Sequence, residues 1–225
     1  MAERVAVIIV SAGASSRMAG VDKVWADLGG LPVLGHSLRA ADALVGVTDI
    51  IIVTGARRHT EVEALASHLH MTVRCVEGGA RRQDSVAAGI AAAVDADWYL
   101  VHDAARPLAS GEVWARVLQG ARSHGAVVPV APVVDTVKRV DANGRILETV
   151  DRAPLRLAQT PQGFAGALLR RAHREVTADA TDDASMVEAL GQPVMTVAGD
   201  PANLKVTTPR DLVVARALLA EGIEG

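Results

Sequence analysis

Arg17 and Lys23 stand six residues apart on one loop, and the residues around them say what two such cations are for. Val5 to Val10 is an apolar, β-branched run, and Ser11 to Ser16 are all small. A buried strand that ends in such a loop leaves backbone N–H groups open to an anion, because no side chain blocks the approach. Arg17 and Lys23 add fixed positive charge where phosphates would sit. The expectation is a phosphate-binding loop rather than an ordinary turn with two solvated cations. It is neither of two common kinds. A dinucleotide fingerprint needs Gly-x-Gly-x-x-Gly, and a P-loop needs Gly-Lys-Ser/Thr after its glycines. Gly13-Ala-Ser-Ser-Arg-Met18 has neither.

Other groups suited to chemistry recur along the chain. Glu77-Gly-Gly-Ala-Arg-Arg-Gln-Asp-Ser85 pairs two glycines with Arg81 and Arg82, and Asp84 or Ser85 is placed to cap the next helix. His102-Asp103-Ala-Ala-Arg106-Pro107 follows an apolar run, so Asp103 is expected at a strand's end, where a carboxylate suits Mg²⁺. The competing reading of Asp103 is an Asp–Arg pair closing a turn. Asp135-Thr136-Val-Lys138, Asp151-Arg152, Thr160-Pro-Gln-Gly-Phe164 and Asn203-Leu-Lys205-Val-Thr-Thr-Pro209 complete the set. The histidines show no metal-site spacing. His68 and His70, two apart, point to different faces of a helix and read as surface residues.

Alternating elements must position these groups. Strands are expected at Val5–Val10, Ile50–Thr54, Thr72–Val76, Trp98–Val101, Ala126–Val130 and Val194–Val197. Helices are expected around His36–Leu44, His59–Leu69, from Asp84 (with Val86, Ile90 and Val94 at helical spacing), Gly111–Arg122 and Pro209 to about Leu219. Apolar strands alternating with helices mean a mostly parallel sheet covered on both faces, with ligands beyond the carboxyl ends of the strands. The loops after Val10, Val76, Val101 and Val130 should then share one rim. Thr136–Val140 and Ile146–Val150 flank Asp141-Ala-Asn-Gly144, a hairpin signal, and read as a protruding arm that wants a partner.

Composition narrows the class. The 225 residues fit one α/β domain, 1–225, with the arm at about 133–153. Half the residues are apolar and only 2% aromatic, so aliphatic side chains must build the core and a base-stacking platform for single strands is disfavoured. A net charge of −3 argues against a nucleic-acid backbone binder. No apolar run approaches the ~18 residues of a membrane span, and a signal peptide is not expected. A lone thiol, Cys75, fits a reducing cytoplasm.

The first loop resembles the nucleotidyltransferase signature Ala-Ala-Gly-x-Gly-x-Arg-Met followed by Pro-Lys. It departs from that signature at Ser11, Ser15 and Asp22 and keeps Arg17, Met18 and Lys23. The order of all the motifs, including Thr-Asp-Asp-Ala-Ser185, resembles the 2-C-methyl-D-erythritol 4-phosphate cytidylyltransferase family from about Val5 to Leu219. The resemblance implies a Rossmann-like nucleotidyltransferase domain that joins CTP to methylerythritol phosphate, with Mg²⁺, in a homodimer. It implies Arg17 and Lys23 on the reacting phosphates, and Ser11, Ala12, Gly13, Gly79, Arg82 and Ser85 around the nucleotide. Asp103 would sit near the metal, and Arg106, Thr136, Arg152, Thr181 and Lys205 would hold the second substrate, Arg152 in the partner's site. The alternatives are a cytidylyltransferase for another polyol phosphate such as ribitol 5-phosphate, a nicotinamide-dependent dehydrogenase and a non-catalytic nucleotide sensor. The dehydrogenase lacks its glycine turn and any acidic residue after Ile50–Thr54.

Overall fold

The structure, a computed structural model, describes residues 3–12, 22–93 and 95–222. In chain order, strand β1 (Val5–Val10) is followed by a short ribbon, β2 (Asp27–Leu28) and β3 (Leu31–Pro32), then α1 (Val33–Ala43). Next come β4 (Val47–Thr54), α2 (His59–Ala66), β5 (Val73–Glu77), α3 (Arg82–Ala92), β6 (Trp98–Asp103), α4 (Gly111–His124) and β7 (Ala126–Pro132). The hairpin strands β8 (Val137–Val140) and β9 (Ile146–Val150) precede β10 (Arg156–Ala158), β11 (Gln162–Ala165), α5 (Gly166–Glu175) and α6 (Asp183–Ala189). β12 (Met195–Ala198) and α7 (Pro209–Ala220) close the chain.

Among the described residues, eight strands form the main sheet. β5, β4, β1 and β6 pair in parallel, β11 enters antiparallel between β6 and β7, and β12 pairs β7 in parallel. β7 therefore points the same way as β6, and the ends of β1, β5, β6 and β7 share one rim. β10 and β11, both antiparallel to β7, were not expected. They are too short for a period-2 pattern, and their polar residues look like loop in the sequence.

β1 is apolar throughout because both of its faces are covered. Val5, Val7 and Ile9 pack with Leu34 and Leu38 of α1 and Val113 and Trp114 of α4. Ala6 and Ile8 pack with Val86 and Ile90 of α3 and with Leu169 and Ala172 of α5. Val94 lies outside the described residues.

Two local expectations are corrected, and the expected turn of the arm is borne out. β6 runs two residues past Val101, so His102 and Asp103 belong to the strand, which their polar side chains concealed. Helix α3 starts at Arg82, not Asp84; Asp84 sits one turn in and its Oδ2 accepts the Arg81 N–H at 3.1 Å. The arm turns through 141–145, with Gly144 at φ +83° and Asp141 Oδ1 accepting from the N–H of Asn143 and of Arg145.

The approach of α3 to β1 is set by Gly89, where a Cβ would lie 2.5 Å from Ile8 Cγ2. Alanine is the better helix former by about 1 kcal/mol, but overpacking a filled core costs about 1–3 kcal/mol. Gly89→Ala should therefore lower stability by about 1 kcal/mol and Gly89→Val by more, read as urea midpoints. A stabilised Gly89→Ala would show that this packing yields freely.

Candidate active site

Three loops meet at the rim. Ser11, at the end of β1, is tied to β4 twice: its N–H and its Oγ both donate to Val53 O, at 2.8 and 3.0 Å. Gly78 and Gly79 allow the loop after β5 to press in, since a Cβ on either would lie 2.4 Å from Ala12 Cβ or Asp84 Cβ respectively. The Ser85 hydroxyl closes that loop, accepting from Gly79 N–H and donating to Arg81 O, both at 3.2 Å. Asp103 completes the rim at the end of β6, its own N–H donating to Thr160 Oγ1 at 3.0 Å.

Behind the rim runs a chain of alternating charges. Lys205 Nζ lies 2.6 Å from Asp103 Oδ2, and Arg82 Nε 3.1 Å from Asp103 Oδ1. The other side of the Arg82 guanidinium reaches Asp183 Oδ2 at 2.7 Å, and His173 Nε2 reaches Asp183 Oδ1 at 2.9 Å. Asp183 is fully buried. Burial is the largest single influence on both carboxyls and opposes their ionisation, but Arg82 and Lys205 together outweigh it at Asp103, as Arg82 and His173 together do at Asp183. Both stay below the usual carboxylate range. Burial also works against the Arg82 charge, and its two carboxylates raise it regardless. Asp103 is thus held ionised by Arg82 and Lys205, not by the Asp–Arg turn pair; Arg106 bonds it only through a backbone N–H to Asp103 O.

A cleft of about 300 Å³ opens here, and Ser11, Ala12, Lys23, Gly79, Arg82, Ser85, Asp103 and Lys205 all line it. Eight of the residues singled out in the sequence are therefore brought together. Gly13 and Arg17 lie outside the described residues. Thr136, Arg152 and Thr181 are exposed and do not line this cleft. Arg106 is turned inward, donating to Asn203 O at 2.7 Å and Ala158 O at 3.2 Å, and so ties the segment carrying Lys205 to β10. Sequence reasoning missed Asp183, His173 and Thr160. Asp183 and Thr160 stood in recognised motifs but were given no role; His173 carries no local signal, because its partner lies 10 residues away. A larger groove of about 590 Å³ lies between α1 and α4, lined mainly by apolar residues with Arg39 and Arg122, and contains none of these groups.

Ser11, Ala12 and a glycine loop around an ionised carboxylate and two lysines, on a mostly parallel sheet, mark the chain as a nucleotidyltransferase. The family model for 2-C-methyl-D-erythritol 4-phosphate cytidylyltransferase (IspD) matches residues 5–221, and the chain belongs to that family. It is 45% identical over 222 residues to the Rhodococcus jostii (strain RHA1) protein of that name, covering 97% of this chain and 96% of the relative. It is 47% identical over 219 residues to the Nocardia farcinica (strain IFM 10152) protein, covering 96% and 94%. Among solved structures it resembles the Thermus thermophilus enzyme of the same name, at 36% identity and TM-score 0.79 over 95% of this chain and 98% of that one.

His102 supports the site from below. Its Nε2 lies 3.1 Å from Arg106 O, so Nε2 carries the proton and donates; Nδ1 then accepts from the Thr160 hydroxyl at 3.1 Å. The same hydroxyl accepts the Asp103 N–H, so a neutral imidazole fixes the backbone that presents Asp103. Burial lowers the His102 pKa from 6.5 to about 4. Between those values the unfolded chain binds the extra proton, so this stabilisation is complete above pH 6.5 and lost as pH falls toward 4. At about 1.4 kcal/mol per pH unit it amounts to roughly 3 kcal/mol. His102→Asn should be less stable at pH 7, yet its urea midpoint should change less than the wild type's between pH 7 and 5. Parallel midpoint curves would remove His102 as the titrating group.

Proposed function

We propose that the chain transfers a cytidylyl group from CTP to 2-C-methyl-D-erythritol 4-phosphate, releasing pyrophosphate and forming 4-diphosphocytidyl-2-C-methyl-D-erythritol. The observation that carries this reading is the cleft that joins Ser11, Ala12, Gly79 and Ser85 to Lys23, Arg82, Asp103 and Lys205. A phosphate monoester is mostly dianionic at neutral pH and attacks as it stands, without a general base. Its oxygen bonds to the α-phosphorus as the bond from that phosphorus to the β-phosphate bridging oxygen breaks. The obstacle is repulsion between anions. Lys23, Lys205 and, by the family's motif, Arg17 supply the charge that offsets it, and the loops hold the reactants in line.

A divalent cation fits the donors here. Asp103 is ionised and lines the cleft, and one carboxylate plus substrate phosphates is a common setting for Mg²⁺. Among the described residues no group of three or more His, Cys, Asp or Glu would hold a metal alone, so Asp103 would hold it together with the nucleotide. Bound, the ion would neutralise phosphate charge. Two small polyanionic reactants and one free thiol, Cys75, fit work in the cytoplasm; among the described residues no helix is long and apolar enough to cross a membrane.

The reading takes 1–225 as one nucleotidyltransferase domain acting as a two-fold homodimer, joined by the arm at about 133–153. Val134, Val140, Ile146 and Leu147 are at least half exposed on that arm, an apolar surface that a second copy would cover. Arg152, which donates to Val134 O, and Thr136 stand outside the cleft of their own chain. This supports Arg152 completing the partner's site.

Pyrophosphate release from CTP and Mg²⁺ should require methylerythritol phosphate and be much slower with ribitol 5-phosphate. Arg17→Ala and Lys23→Ala should each lower kcat by about 10²–10³. Equal kcat/KM for both polyol phosphates, or normal turnover in Lys23→Ala, would overturn this assignment. Mixing Arg17→Ala with Arg152→Ala chains should restore about a quarter of wild-type activity, because half of randomly formed dimers are mixed and each regains one intact site. No recovery in verified mixed dimers would confine Arg152 to its own chain.

A further inference from the structure

The first turn of α3 does more than close the nucleotide loop; it also grips a segment about a hundred residues further along. Residues 176–182, between α5 and α6, have no helix or strand of their own. Among the described residues, no backbone–backbone hydrogen bond reaches 177–180. The main chain there is held by side chains of α3 and the residue before it. Gln83 Nε2 donates to Ala178 O at 3.3 Å, and Gln83 Oε1 accepts from Ala180 N–H at 3.1 Å. One amide thus engages the segment on both its donor and its acceptor side, as a neighbouring strand would. Arg81 adds bonds to Thr177 O and Asp179 Oδ1, at 3.3 and 3.0 Å.

Gln83 is the stronger of these two holds. It is 7% exposed, whereas Arg81 lies in solvent, where a charge pair contributes little. Removing this amide takes away the two bonds that order the main chain at Ala178 and Ala180 and leaves those groups to water. Just beyond the clamp stands Thr181, then Asp182, which caps α6, then Asp183, which grips Arg82. Thr181 is therefore fixed from both sides, and on its N-terminal side the fixing falls to Gln83.

We propose that Gln83 is a positioning residue for the second substrate, holding the 177–181 segment so that Thr181 meets the methylerythritol phosphate. This rests on the assignment of Thr181 to that substrate. Gln83 takes no part in the chemistry and need not touch either reactant. Its location on the nucleotide side makes the inference discriminating: a general loosening of α3 would weaken CTP first.

The test compares Gln83→Met, which keeps the length and loses both bonds, with Thr181→Ala and with the double variant. Melting temperature and calorimetric CTP binding serve as controls; Gln83→Ala, well suited to a helix, replaces Gln83→Met if the latter does not fold. Gln83→Met should raise KM for methylerythritol phosphate about tenfold, the scale set by a small misplacement of a binding group, and leave Kd for CTP within twofold. In the double variant the two effects should not multiply, since both remove the same contact. Multiplying effects, an unchanged KM for methylerythritol phosphate, or a parallel loss of CTP binding would overturn the inference while leaving the Thr181 assignment standing. An unchanged KM in Thr181→Ala would overturn that assignment and this inference with it.

Discussion

A guanidinium shared by two buried carboxylates, Arg82 between Asp103 and Asp183, is the constraint to which the rest of the site answers. Neither carboxylate is tolerable there alone, because an unpaired buried charge costs several kcal/mol. Each partner arrives from a different part of the chain: Asp103 from the end of β6, Asp183 from the start of α6, Arg82 from the start of α3. Pairing them fixes the relative positions of three elements whose sequence separations are 21 and 101 residues. Lys205 adds a second cation at the solvent-facing end, so the two carboxylates meet two cations, and His173 bonds Asp183 at the buried end. The residues that would handle triphosphate are thereby held before any ligand arrives, which is what lowers the cost of binding and orientation.

The parallel half of the sheet was legible because burial on both faces leaves little freedom in residue type. Val5 to Val10 and Ile50 to Val53 are unbroken apolar runs for that reason. β10 and β11 were not legible. Gln162 is buried, yet its amide serves Asp182 and Ala184, so a polar residue sits in the sheet without any apolar signal. The site divides in the same way. Asp103, Lys205 and the glycine loop stood out because small or charged residues interrupt apolar runs. Asp183 and His173 did not, because a charge pair closed between distant segments leaves no spacing to read.

The antiparallel entry of β11 has a chemical effect. Because it runs against β6, Thr160, two residues before it, lies at the same rim as Asp103, with its hydroxyl between the Asp103 N–H and His102 Nδ1. A parallel strand at that place would present its far end and leave both groups unsatisfied. The reversal therefore supplies a hydrogen-bond partner that the rim would otherwise lack.

Gly89 carries a consequence for how such chains diverge. A helix is a stiff rod rising 1.5 Å per residue, and Gly89 bears on Ile8 about two turns from the end where Arg82 and Gln83 act. It is the fulcrum of a lever: a fraction of an ångström gained at Gly89 is passed to the far end as tilt. The two positions are thereby bound in their histories. A lineage that enlarges residue 89 must trim residue 8, and intermediates that have made only one of the two changes will be rare.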